Sequence, residues 1–155
     1  MTTTIEVPAE YGYVLASAVS TFFVNAFLSS RIQPYRKAAK IPYPYEYASY
    51  EQIQSAPPDR SKAMYQFNCA QRGHQNFVEN MPSALGAMLI AGLQYPLVAA
   101  GLGALWSVNR VVYAIGYNDP NKDTGKGRYK GILWMLAHYG LVLTAAKSAY
   151  DFVVR

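Results

Sequence analysis

Thirty consecutive residues, Asn80 to Asn109, contain no Asp, Glu, Lys or Arg. Their centre, LQYPLVAAG, carries Pro96 behind a Gln-Tyr pair, a combination suited to a tight turn, so the run divides into two helices. A second run, Tyr11 to Ser30, is also charge-free, with Asn25 its one strongly polar residue. At about 1.5 Å rise per residue it spans roughly 30 Å, the thickness of the hydrocarbon layer of a bilayer. A third run, Gly131 to Ala146, contains Trp134 and Tyr139 and continues through Lys147, whose long stem can carry its charge to an interface. The pattern predicts an all-α integral membrane four-helix bundle: a single domain over 1–155 with spans at 9–31, 66–93, 96–119 and 129–152.

Composition agrees. The 155 residues are 52% hydrophobic and 15% charged, where a soluble domain carries about a quarter charged residues. The mean hydropathy of −0.02 averages the apolar runs with a very polar segment around 31–66. A cleavable signal peptide needs a positive leader, and MTTTIEVPAE is acidic. A water-soluble bundle needs polar faces at helical spacing in the first and third spans, and neither shows one.

The basic residues set the orientation. Arg31, Arg36, Lys37, Lys40, Arg60 and Lys62 lie between spans one and two, and Lys122, Lys126, Arg128 and Lys130 between spans three and four. Ten of the 14 Lys and Arg residues therefore sit in two loops on one face. The positive-inside rule makes that face cytosolic and puts both termini across the membrane. The net charge of +5 is then mostly topology and attraction to anionic headgroups, not a nucleic-acid footprint.

Little else in the chain offers chemistry. The single Cys69 excludes an internal disulfide and a Cys-rich zinc site, and the isolated His74 and His138 form no ligand cluster, so no metal is expected. GKGRYKG is glycine-rich but lacks the spacing of a phosphate-binding loop. Cys69 reads as a small packing residue, and His138 as a hydrogen-bond partner of a neighbouring helix. YPYEYASY reads as an anchor at headgroup level that could also border a ligand entrance.

The informative residues lie in FNCAQRGHQNFVENMP, where Arg72, Asn76 and Glu79 fall at i, i+4 and i+7 and share a helix face. In RVVYAIGY, Arg110, Tyr113 and Tyr117 repeat the arrangement at i, i+3 and i+7. Ionisable groups inside a membrane turn toward protein or a wet cavity, so the two stripes point to a shared site open to the cytosolic side. Alternatively they form only a bundle-stabilising network. Arg36, Lys37, Arg72, Arg110 and Arg128 outweigh Glu79 and favour an anionic ligand, since guanidinium groups match carboxylates bidentately. Glu79 could hold an amino group, and the tyrosines could supply donors and flat walls. A small zwitterionic peptide with two carboxylates suits the set.

These motifs resemble the membrane-associated proteins of eicosanoid and glutathione metabolism, most closely the type-3 microsomal glutathione transferases. FNCAQRGHQNFVE is similar to their FNC-x-QR-x-HQN-x-x-E signature, and RVVYAIGYNDPNKDTGKGRYKG to their R-x-x-Y-x-x-GY segment with its trailing R-x-x-G. With YRKAAKIPYPYEYA in the first loop, the likeness covers nearly the whole chain.

The resemblance implies a homotrimer in the endoplasmic-reticulum membrane, with glutathione as co-substrate between neighbouring subunits near the cytosolic face. It implies a glutathione pocket lined by Arg36, Arg72, His74, Asn76, Glu79, Arg110, Tyr113 and Tyr117. It gives Arg128 the catalytic role of stabilising the thiolate, and it implies a lipophilic electrophile or lipid hydroperoxide arriving from the bilayer. The loop Asn118 to Gly127 is longer than in leukotriene C synthase, and Asn80 and His74 stand where that enzyme has tyrosine and glutamine. A noncatalytic lipid-binding or scaffold protein is the competing expectation. A transporter is disfavoured because the polar groups do not continue across the membrane.

Overall fold

The computed structural model describes residues 6–154. The first five residues of the leader, on which the signal-peptide reading turns, lie outside them. The described chain is helical, with no strand: α1 Tyr11–Ser30, α2 Ile32–Ala39, α3 Tyr50–Ser55, α4 Pro58–Gly92, α5 Pro96–Tyr117, a 3₁₀ segment Asp123–Gly131 and α6 Leu133–Val153.

Two helix starts differ from expectation. The helix expected from 66 begins at Pro58, because PPD supplies a proline at the first helical position and an acid, Asp59, in the first turn. The helix thus extends well beyond its apolar part. The helix expected from 129 begins at Leu133, because the 3₁₀ segment, entered through left-handed φ values of 54° and 64° at Thr124 and Gly125, runs on to Gly131. The 3₁₀ segment meets α6 at a bend of 51°. By length and composition, two described helices suit a membrane crossing, Tyr11–Ala39 (α1 continued into α2) and α5. The bent 3₁₀–α6 pair adds a third if it counts as one span.

The chain divides into two units. One comprises the described residues of Met1–Phe23 with Asn80–Asn109 and Leu133–Arg155, and the other comprises Val24–Glu79 and Arg110–Ile132. In the first unit α1, α4, α5 and α6 meet through small residues: Ala18, Ala87, Ala91, Ala99, Ala100 and Ala145 surround Val14, Met88 and Leu141. Small side chains let membrane helices approach closely, and hydroxyls then bond across the gap. Ser17 donates to the Ala100 carbonyl at 2.9 Å, Ser148 to Ile90 at 2.9 Å, and Tyr11 to Leu89 at 3.1 Å. His138 lies in this unit, 3.2 Å from the Ser83 hydroxyl, with its ring edge-on to Trp134. The outward faces carry Phe23, Leu97, Leu136 and Leu143, all more than half exposed. Such an apolar exterior suits lipid, not water.

In the second unit Ala39, Ile41, Ala48, Met64 and Phe67 form a separate core beneath the first loop. Asn68 on α4 pins that loop by accepting from the Ala48 amide at 2.9 Å and donating to its carbonyl at 2.8 Å. Ser49 and Gln52 close a capping box at the start of α3.

Candidate functional site

Within the second unit α4 and α5 come together where Gly73 faces Ala114. A Cβ on Gly73 would lie 3.3 Å from the Ala114 Cα, closer than side chains normally pack. This contact sets the two polar stripes within hydrogen-bonding range. Arg110 Nη2 donates to Asn76 Oδ1 at 2.9 Å, and Arg72 Nη1 to Glu79 Oε1 at 2.7 Å. Asn76 Nδ2 reaches the other carboxylate oxygen of Glu79 at 3.5 Å. A guanidinium, an amide, a carboxylate and a second guanidinium thus form one chain across two helices.

Position separates the roles of the two arginines. Arg110 is fully buried, its guanidinium 4.8 Å from the Tyr113 ring centre and 5.9 Å from that of Phe77. It lies behind the stripe and orients Asn76. Arg72 and Glu79 remain 41% and 45% exposed, so the pair is open to a ligand.

The aromatic side of the site runs from Tyr113 to Tyr117, whose rings meet edge to face at 5.6 Å. Arg128 comes over the Tyr117 ring at 5.2 Å from the 3₁₀ segment. Gly116 and Gly127 position that segment, because a Cβ on either would run into the backbone of the other. Arg128 Nη1 donates to the carbonyls of Thr124 at 3.1 Å and Gly125 at 2.9 Å, and Nη2 to the Tyr129 hydroxyl at 2.9 Å. Among the described residues Arg128 forms no ion pair, and the groups that hold its guanidinium are neutral.

Two expected site residues point elsewhere in the chain. His74 Nε2 is 3.1 Å from Asn25 Oδ1 on α1. Arg36 is buried between the rings of Tyr43 and Phe67, at 4.5 and 4.6 Å, and donates to the Tyr45 carbonyl at 2.7 Å, while its Nε has no partner. Neither joins the α4–α5 chain. Cys69 is buried.

Tyr47 was not singled out within YPYEYASY, the loop expected to anchor at headgroup level or border a ligand entrance. Its hydroxyl donates to Gln75 Oε1 on α4, one turn from Arg72. Burial pushes the Tyr47 phenol above its ordinary value, and the charge of Arg72 partly opposes the shift. Asn118 was missed too: buried at the end of α5, it donates to the Gln66 carbonyl at 2.8 Å and fixes the α5 terminus against α4. Its position just after the GY pair is the only sequence signal for this role.

Among the described residues no group of three His, Cys, Asp or Glu side chains converges. The arrangement presents a half-exposed guanidinium paired with a half-exposed carboxylate, an aromatic wall and a separate cation at the far end of that wall. A model of the MAPEG family matches residues 14–150.

Proposed function

Because the chain belongs to the MAPEG family, the glutathione-related, membrane-embedded helical bundles, we propose that it is a membrane glutathione transferase and glutathione-dependent peroxidase of the type-3 microsomal kind. The observation that carries this reading is the Arg72–Glu79 pair, 2.7 Å apart and nearly half exposed. A pair so exposed adds at most about 1 kcal/mol of stability, so a bundle-stabilising role accounts poorly for it. Nor does such a pair face lipid, because charges in a membrane turn to water, ligand or protein. A zwitterionic peptide between neighbouring subunits of a homotrimer satisfies that requirement. Arg72 takes a carboxylate, Glu79 the amino group, and Asn76, held by Arg110, a further polar group.

Arg36 and His74 then line the pocket from one subunit while the α4–α5 chain lines it from the next, which accounts for their separation within one chain. The peptide thiol lies along Tyr113 and Tyr117 toward Arg128. A free thiol is only a few per cent ionised at neutral pH, and the thiolate is the nucleophile. Arg128 places a guanidinium there, and its positive charge favours the thiolate. Attack on an electrophilic carbon forms the carbon–sulfur bond and expels the leaving group with its electron pair. Attack on a hydroperoxide breaks the oxygen–oxygen bond, giving an alcohol and a sulfenic acid. A second glutathione converts the sulfenic acid to the disulfide and water. The lipophilic partner enters from the bilayer, in the endoplasmic reticulum, with four spans and the site on the cytosolic side.

Detergent-purified protein should turn over both a lipid hydroperoxide and an aryl halide in the presence of glutathione. Tight glutathione binding by calorimetry without turnover of either would assign the chain to the noncatalytic, lipid-binding alternative.

A further inference from the structure

A second polar site lies in the same unit on a different face of α5. Val112 and Ile115, exposed on the last turns of α5, and Tyr35 of α2 line a cavity of about 420 Å³. This volume falls within the roughly 300–1,000 Å³ typical of small-ligand sites. Arg31, at the α1–α2 junction, and Lys130, from the 3₁₀ segment, line it as well, together with Asp119. Lys130 is paired with Asp119 at 2.7 Å. Arg31 forms no ion pair among the described residues, and its guanidinium lies over the Phe27 ring at 5.9 Å. Two cations against one carboxylate leave a net charge of +1 beside an apolar wall.

We propose that this groove binds one anionic glycerophospholipid, its phosphate between Arg31 and Lys130 and the upper part of an acyl chain along Val112 and Ile115. One phosphodiester carries the single negative charge that neutralises the site. A free phosphate would satisfy the cations but leave Val112, Ile115 and Tyr35 without a partner. A zwitterionic lipid would fill the wall but bring its own cation to Arg31. The groove lies at the end of α5 that carries the basic loops, the end that the topology assigns to the anionic leaflet. The inference rests on that membrane reading and is independent of glutathione.

The test is native mass spectrometry of the full-length protein in neutral detergent micelles at about 150 mM salt, where general attraction between exposed charges is screened within about 8 Å. The probes are dioleoylphosphatidylglycerol, dioleoylphosphatidylcholine and inorganic phosphate. The wild type should retain one phosphatidylglycerol per chain in preference to phosphatidylcholine, undisturbed by millimolar phosphate. The double variant Arg31→Gln/Lys130→Gln should weaken retention by about 30-fold or more, as expected for two lost charge-assisted contacts. The charge-matched control Arg60→Gln/Lys126→Gln should weaken it less than about fivefold, the effect of general surface attraction. Ile115→Trp fills the groove without changing charge and should also expel the lipid.

Equal losses in the two double variants would reduce the effect to surface charge and overturn the proposal. Equal retention of phosphatidylcholine, displacement by phosphate, or persistence of the lipid in Ile115→Trp would overturn it as well, as would a second copy of the chain covering the groove. Calorimetric glutathione binding in the same variants separates the two readings. If glutathione still binds and lipid retention is unaltered, only the lipid site fails.

Discussion

Arg72 and Arg110 carry the same guanidinium at opposite exposures, 41% for the Arg72 side chain and none for Arg110, and substitution should separate them. Arg72→Ala removes a ligand-facing charge and should weaken glutathione binding by about 10- to 100-fold, the effect of one charge-assisted bond, with little change in thermal stability. Arg110→Ala leaves a cavity beside Phe77 and Tyr113 and releases Asn76, so it should lower both melting temperature and affinity. Calorimetry with thermal melts checks both, and unchanged affinity in folded Arg72→Ala would return the stripe to a structural role. The spacing of Arg72, Asn76 and Glu79 revealed their shared face because helical periodicity is a local property. It could not reveal that Arg110 is buried and Arg72 exposed, since that depends on which helix packs against each. Tyr47 was hidden for a similar reason: it meets Gln75 across 28 residues of chain.

Glycines decide how closely the elements approach. Gly73→Ala should destabilise the protein, because overpacking against Ala114 costs about 1–3 kcal/mol while the gain in helix propensity is at most about 1 kcal/mol. Gly101→Ala, with nothing within 4 Å of the added carbon, should be neutral or stabilising. Melting temperatures that move in the same direction would contradict this account of the α4–α5 contact. The loop after α2 carries a pH dependence. The Tyr47 phenol is raised above its unfolded value of about 10, so its contribution to stability is fully present below pH 10 and is lost as pH rises through the folded value. The stability gap between wild type and Tyr47→Phe should therefore close at alkaline pH, and denaturant melts in which the gap persists or widens would rule this out. Charge-free runs had placed the apolar helices, because exclusion of charge is a composition signal. Helix starts were less legible: Pro58 extends α4 into a charged stretch, and the 3₁₀ segment that runs to Gly131 delays α6.

At the scale of the whole molecule, the ten basic residues of two loops predict that the 31–66 loop is cut by protease on the cytosolic side of sealed microsomes while tags at both termini are protected. Cytosolic exposure of either terminus would reject the four-span topology. The separation of Arg36 and His74 from the hydrogen-bonded α4–α5 stripe was not legible in the sequence, because it depends on which side chains each meets in the folded chain: Asn25 for His74, and Tyr43 and Phe67 for Arg36. The central claim concerns the thiolate: Arg128, held over Tyr117 by neutral carbonyls, stabilises the anion of bound glutathione. Its most direct measurement is an ultraviolet titration of thiolate absorbance with saturating glutathione in the wild type, Arg128→Ala and Arg110→Ala. The account predicts a bound thiol ionising below the free value of about 8.5 in the wild type, returning toward it in Arg128→Ala and staying low in Arg110→Ala. An unshifted thiol in Arg128→Ala, with or without a rise in Arg110→Ala, would contradict it.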